Sequence, residues 1–175
     1  MILSGKEILN KLGKEIDIKP FNPDNIGPNS YDLMLDNKLR VYEVKGCLDI
    51  MNDTPTKEIV IPKDGLILQP NMLYLGSTLE HTKTLGYVPM LEGRSSMGRL
   101  GLSIHVTAGF GDIGFSGHWT LEISCIHPIK VYPYIRICQI YYHKIEGEYV
   151  PYNSKYQGNT GVQPSMSFKD YGGSN

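Results

Sequence analysis

The chain has 175 residues, 41% of them hydrophobic and 20% charged, with a net charge of −1 at pH 7. That length favours one domain with its own core, and the missing basic excess argues against a bulk nucleic-acid partner, although a local arginine cluster can still hold one small anion. Three cysteines, Cys47, Cys125 and Cys138, sit at spacings that fit no disulfide framework, metal motif or redox pair, so a reducing cytoplasm is the expected setting. The opening six residues lack the long apolar stretch of a secretory signal, and no apolar run approaches the ~18 residues of a membrane helix, so no membrane partner is expected.

Ser4 and Glu7 fit a capping box, with Ser4 as N-cap and the Glu7 side chain returning to the Ser4 amide. Ile8, Leu9 and Leu12 follow at helical spacing, which predicts a short helix over residues 5–12 that stops at Gly13. Beyond it the pattern turns to strands. Tyr31, Leu33 and Leu35 alternate with Asp32, Met34 and Asp36. Residues 44–58 read as a polar excursion. Ile59, Val60 and Ile61 form a β-branched run expected to be a buried strand that ends at Pro62. Residues 66–68, 72–75, 119–123 and 135–142 continue the series. With 19 glycines and 11 prolines between the runs, an all-β barrel or jelly roll is expected, and a doubly wound α/β sheet is disfavoured. Residues from about 152 to 175 read as an extended C-terminal arm with a Ser/Gly-rich finish expected to be disordered when free.

The chemistry concentrates between residues 92 and 122. Arg94, Ser95, Ser96, Met97, Gly98 and Arg99 put two guanidinium groups and two hydroxyls in one run. Guanidinium forks match phosphate oxygens, so the run suggests a polyphosphate site; a solvated polar turn is the plain alternative. It is not a P-loop, because no Gly-Lys-Ser/Thr ending follows. Asp112 lies in a glycine-rich turn, where aspartate commonly serves local hydrogen bonding. Glu122 lies in a strand expected to be largely buried, where a carboxylate is costly unless paired or functional. The five histidines, 81, 105, 118, 127 and 143, are scattered and are taken as structural; the zinc-deaminase signature of His-x-Glu with a downstream Cys-x-x-Cys is absent.

Taken together, these segments closely resemble the dCTP deaminase branch of the trimeric dUTPase-like family. The likeness also includes Ile2-Leu3-Ser4, Pro28-Asn29-Ser30-Tyr31-Asp32-Leu33, Thr107-Ala108, Arg136-Ile137-Cys138-Gln139 and Lys155-Tyr156-Gln157-Gly158, and so extends over most of the chain. The resemblance implies a distorted β-barrel or jelly roll of the dUTPase type, spanning residues 1–175. It also implies a homotrimer with active sites between subunits, closed by the C-terminal arm. Glu122 would shuttle a proton from the water that attacks C4 of cytosine to the leaving ammonia. Ser95, Arg99 and the Ala108 carbonyl would hold that water without zinc. Arg94, Ser95, Ser96, Met97, Gly98 and Arg99 would line the triphosphate, which would carry Mg²⁺. Asp112 would sit near the deoxyribose, the backbone of Thr120, Leu121 and Glu122 would read the base, and Gln139, Tyr152, Lys155 and Asn159 would complete the site.

Gly109 and Phe110 after Ala108 resemble the members that also cleave between the α and β phosphates, giving dUMP, ammonia and pyrophosphate for thymidylate synthesis. A small residue there leaves room for a water near the α-phosphate. dTTP would be a feedback inhibitor. Gly27, Gly111, Ile113 and Asn159 depart from the family pattern. A deaminase that releases dUTP, a dUTPase, and a nucleotide-binding regulator without turnover stand as alternatives.

Overall fold

A computed structural model describes residues 1–105 and 108–172. Helix α1 spans Gly5–Lys11, capped by the Ser4 side chain accepting from the Glu7 amide at 3.2 Å. The reciprocal half of the capping box does not form. Glu7 instead accepts from the Asn10 side chain and faces Lys11. The chain leaves α1 through Gly13 at φ 73°.

Ten strands follow: β1 (Ile16–Lys19), β2 (Tyr31–Tyr42), β3 (Thr56–Val60), β4 (Leu66–Leu68), β5 (Tyr74–Thr84), β6 (Tyr87–Gly93), β7 (Leu102–Ile104), β8 (Ser116–Cys125), β9 (Ile129–Val131) and β10 (Arg136–Lys144). A four-residue helix, α2 (Ser95–Gly98), lies between β6 and β7, and a 3-10 turn (Ser167–Asp170) lies in the arm. Six strands form an antiparallel path β6-β10-β2-β5-β8-β7, with β1 added on β5 and β3 on β2; β4 and β9 make a separate pair. The two ends of the path, β6 and β7, come back within packing distance, so the sheet nearly closes into a barrel. The all-β expectation is met.

Period-two alternation fills the interior. Leu33, Leu35 and Leu39 of β2, Leu121 and Ile123 of β8, and Ile137 and Ile140 of β10 are wholly buried, each contributing ~1.5–3 kcal/mol by leaving water. Two strand expectations fail. Val60 is exposed and only Ile61, just past β3, is buried, because β3 is an edge strand paired with β2 alone. Met72 and Leu73 are also exposed, and the strand there starts at Tyr74.

Pro89 sits in β6, a strand at the end of the path that pairs with β10 alone, where a missing backbone donor is tolerated. The glycine-rich turn covers the other side of β6: the Leu91 amide donates to the Gly109 carbonyl at 2.7 Å, and the Gly111 amide to the Pro89 carbonyl at 2.9 Å. A Cβ on Gly109 would meet the Leu91 carbonyl oxygen at 2.2 Å, and one on Gly111 would meet the Trp119 ring at 2.4 Å. Glycine at 109 is therefore required by backbone approach, a reason different from room for a water. Gly111 makes way for the indole of Trp119, which is itself held by a 2.8 Å bond to Thr82.

Candidate active site

Strand β8 builds the site. Its odd-numbered residues point into the core, so Ser116, His118, Thr120 and Glu122 share the other face. The Glu122 side chain is 36% exposed and half-buried on a cavity wall, on the outward face of a strand whose other face is buried. The cavity, about 490 Å³, is lined by Glu122, Thr120, His118, Asp112, Ala108 and His105, with Phe110, Phe115 and Trp119 as its aromatic part.

The Glu122 carboxylate meets the Nδ1 of His105 at 2.7 Å. His105 carries a positive φ of 51°, uncommon for a side chain larger than glycine, and its side chain is 4% exposed. Among the described residues its Nε2 has no partner. This histidine had looked structural because nothing in the sequence links residue 105 to residue 122. The link is tertiary: the His105 amide donates to the Glu122 carbonyl at 3.2 Å, where β7 runs out along β8. His118 also lines the cavity, with Nδ1 against the Thr78 carbonyl at 3.0 Å. Its cross-strand partner His81 is held below the usual histidine range by burial and then by the neighbouring His118.

The arm runs along the same edge of β8. The His118 amide donates to the Asn159 carbonyl at 2.9 Å, and the Asn159 side-chain amide donates to the His118 carbonyl at 2.8 Å. Strand parity puts the Thr120 backbone amide and carbonyl on that edge too, between the arm and His105. The Thr120 hydroxyl accepts from the Gln163 amide at 2.9 Å. Tyr152 stands edge-on to Phe115, and its hydroxyl accepts from the Tyr156 amide. Tyr156, Asn159, Gln163, Pro164 and Ser165 complete the lining.

Asp112 is exposed at the cavity mouth, and its carboxylate makes no side-chain hydrogen bond among the described residues, so it is not spent on its own turn. Its carbonyl closes the turn to the Phe115 amide. Thr107 falls outside the described residues.

The other expected site residues lie elsewhere. The Leu121 side chain is wholly buried in the core. Ser95, Ser96, Gly98 and Arg99 are exposed on and beside α2. Arg94 and Met97 line a different, open recess of about 520 Å³ with Arg136, Asn25 and Tyr134. Gln139 bonds to Ser30 on the outer face of β10. Lys155 pairs with Asp170 and lies over the Tyr156 ring; the hydrogen bond to Asp170 raises its pKa. Within one chain the acidic and basic sets are thus on separate surfaces. Among the described residues, no three His, Cys, Asp or Glu side chains gather where they could hold a metal ion, and no helix is long and apolar enough to cross a membrane.

A family model described as dCTP deaminase-like matches residues 2–145. A protein of Hathewaya histolytica named dCTP deaminase, dUMP-forming, is 64% identical over 172 residues, covering 98% of this chain and 99% of that one. A protein of the same name from Clostridium beijerinckii is also 64% identical over 172 residues, with the same coverage. Among solved structures, the 2'-deoxycytidine 5'-triphosphate deaminase of Agrobacterium tumefaciens superposes with a TM-score of 0.65 at 22% identity, over 81% of this chain and 47% of that one. This chain spans about half of that longer chain, and at such identity the likeness concerns the fold.

Proposed function

The chain belongs to the dCTP deaminase-like family, and on that premise we propose that it is an enzyme that deaminates dCTP and cleaves the resulting triphosphate to dUMP and pyrophosphate. The observation that carries this is the Glu122 carboxylate, which projects into an aromatic-lined cavity beside Asp112 and Ala108 with His105 at 2.7 Å. Glu122 takes a proton from water as the water oxygen bonds to C4 of cytosine, then delivers a proton to the amino group, which leaves as ammonia. The Ala108 carbonyl, Ser95 and Arg99 hold that water. The Thr120 strand edge reads the base and Asp112 faces the deoxyribose. A second water attacks the α-phosphorus and pyrophosphate leaves. Mg²⁺ arrives on the triphosphate, in keeping with that ion's preference for phosphate oxygens and water over protein cages.

Arg94, Ser95, Ser96, Met97, Gly98, Arg99, Gln139 and Lys155 serve the triphosphate, with Tyr152 and Asn159 from the arm. Most of them lie away from their own cavity, which supports a site shared between copies in a homotrimer, with one copy presenting its α2 surface to the cavity of another. Leu100, Phe110 and Ile126 are large apolar side chains exposed in the single chain, in keeping with such a contact. The arm closes the cavity, dTTP competes for it, and the enzyme works in the cytoplasm.

The test is an anion-exchange assay of products from dCTP and Mg²⁺, with Glu122→Gln alongside. dUMP and pyrophosphate appearing together is the expected result, and the variant should be inactive. Accumulation of dUTP would mean deamination alone. Turnover of dUTP but not dCTP would mean a dUTPase, and nucleotide binding without product would leave a regulator. A monomeric mass in solution would overturn the shared site, and a flat rate across a dTTP titration would overturn feedback.

A further inference from the structure

The segment Pro28-Asn29-Ser30-Tyr31-Asp32-Leu33 has no task in the chemistry above, yet it touches two of the side chains assigned to the nucleotide. We infer that it is a buttress: Asp32 is a positioning residue for Arg94, and Ser30 is one for Gln139. The inference rests on the proposed role of those two residues in binding the triphosphate.

Tyr31, Leu33 and Leu35 are wholly buried, so the alternation of β2 turns Asp32 outward. Beside it on β10, Gln139 is the direct cross-strand partner of Asp32; Glu92 of β6 is the partner of Gln139 on its other side. The chain leaves β6 at Gly93, which brings Arg94 to the end of this row. Its Nε forms an ion pair with the Asp32 carboxylate at 3.0 Å, and its Nη1 donates to the Arg136 carbonyl at 3.3 Å. Asp32 is only 18% exposed, so the pair is partly shielded from solvent. A guanidinium has five N–H donors. With one of them hydrogen-bonded to Arg136 and Nε drawn to the Asp32 carboxylate, the fork is oriented and the rest stay available to an anion. Arg136 Nη1 lies 3.8 Å from the same Asp32 oxygen, so the carboxylate is compensated and does not repel phosphate unopposed.

Ser30 acts in the same way on an amide. It is 9% exposed, and its hydroxyl donates to Gln139 Oε1 at 3.1 Å. Occupying the oxygen end of the amide leaves the NH₂ end as the free one, and phosphate oxygens need donors. The buttress is itself tied down. The Gly5 amide donates to the Pro28 carbonyl at 2.7 Å, the Gly27 amide to the Ser30 carbonyl at 2.7 Å, and the Asn22 amide to the Tyr31 hydroxyl at 3.0 Å.

The test is steady-state kinetics of the full chain with Mg·dCTP, together with inhibition by inorganic pyrophosphate. Asp32→Asn should raise KM and the pyrophosphate inhibition constant by about 5–20-fold while kcat stays within about 2-fold, the signature of lost uniform binding. Asp32→Glu should recover most of the loss. Arg94→Ala should raise KM at least as much, and adding Asp32→Asn to it should change nothing further, since a residue that acts through another is silent in its absence. A further multiplicative rise in the double variant would overturn the inference. No change in KM for Arg94→Ala would sink the phosphate role of Arg94 itself, and the Asp32 role with it. Should Asp32→Asn not fold, Ser30→Ala carries the test: a KM rise of about 2–10-fold, the size of one hydrogen bond, that disappears in a Gln139→Ala background. An equal rise in that background would overturn it.

Discussion

The outward face of β8 and the run around α2 hold the two halves of the proposed chemistry, and the chain treats them in opposite ways. On β8, Glu122 and Thr120 are enclosed by their own chain: His105 closes on the carboxylate and the arm hydrogen-bonds along the strand edge. Around α2, Ser95, Ser96 and Arg99 point outward, and the adjacent Leu100 is 61% exposed. A carboxylate needs a shaped, partly dry environment to move protons, and one chain can supply that by folding an arm over a strand. Donors for a triphosphate need another surface opposite them, and the Ser95, Ser96 and Arg99 side of this run is open to solvent.

The difference can be broken first at its acidic side. Glu122→Gln should lower the deamination rate by about 10²–10⁴-fold, the range for losing a general acid–base group, while the melting temperature stays unchanged. The basic side is sharpened by Arg99→Ala, which should cost about 10–100-fold, as expected for a lost hydrogen bond to a charged group. Reconstituting a mixture of these two variants should then restore roughly a quarter of wild-type turnover, because random symmetric assembly pairs an intact Glu122 with an intact Arg99 at that frequency. A mixture as inactive as its components would mean that each chain uses its own α2 run.

His105→Ala removes the 2.7 Å contact to Glu122 and should reduce kcat by about 10-fold, read in single-turnover deamination. An unchanged kcat would make His105 only a wall of the cavity.

The smallest effect concerns stability. Glu80 is wholly buried in β5, within the stretch between Ser77 and His81 where the register with β8 shifts, and burial raises its pKa from 4.5 to about 7. It accepts from the Met34 amide at 2.9 Å, and its other oxygen has no partner among the described residues. Below pH 4.5 the acid is neutral in both folded and unfolded chains. Between there and about pH 7 the unfolded chain gives up the proton while the folded one keeps it, so folding stability falls across that window and levels off above it. The expected loss is on the order of 2–4 kcal/mol. Glu80→Gln keeps an acceptor for Met34 and should flatten the dependence, seen as a higher melting temperature at pH 8 and little change at pH 4.5. Parallel pH profiles for the two proteins would remove Glu80 as the cause.

The fold class was legible because period-two alternation is local. Leu33, Leu35, Leu121 and Ile123 mark the core face in the sequence and are wholly buried in the structure. The same rule failed at Val60, where hydrophobicity does not say whether a strand lies at an edge. It also missed the short β1, β7 and β9, whose three or four residues carry too little pattern to register against their flanks. At the site, Glu122 and Asp112 stood out in their own stretches of sequence, and Ala108, Thr120, Tyr152 and Asn159 only through the family resemblance; all six share one cavity. Leu121, Gln139 and Lys155 were named alongside them but face elsewhere.

By itself, the sequence determined the β class, the short capped helix and the family, because these depend on alternation, on a cap three residues from its partner amide, and on residue identities in order. Only the tertiary structure decided that His105 meets Glu122, that Asp32 grips Arg94, and that Gly111 gives way to Trp119. Each of these joins residues on different elements, and the closeness of such residues is set by strand register and sheet closure, which no single stretch of sequence encodes.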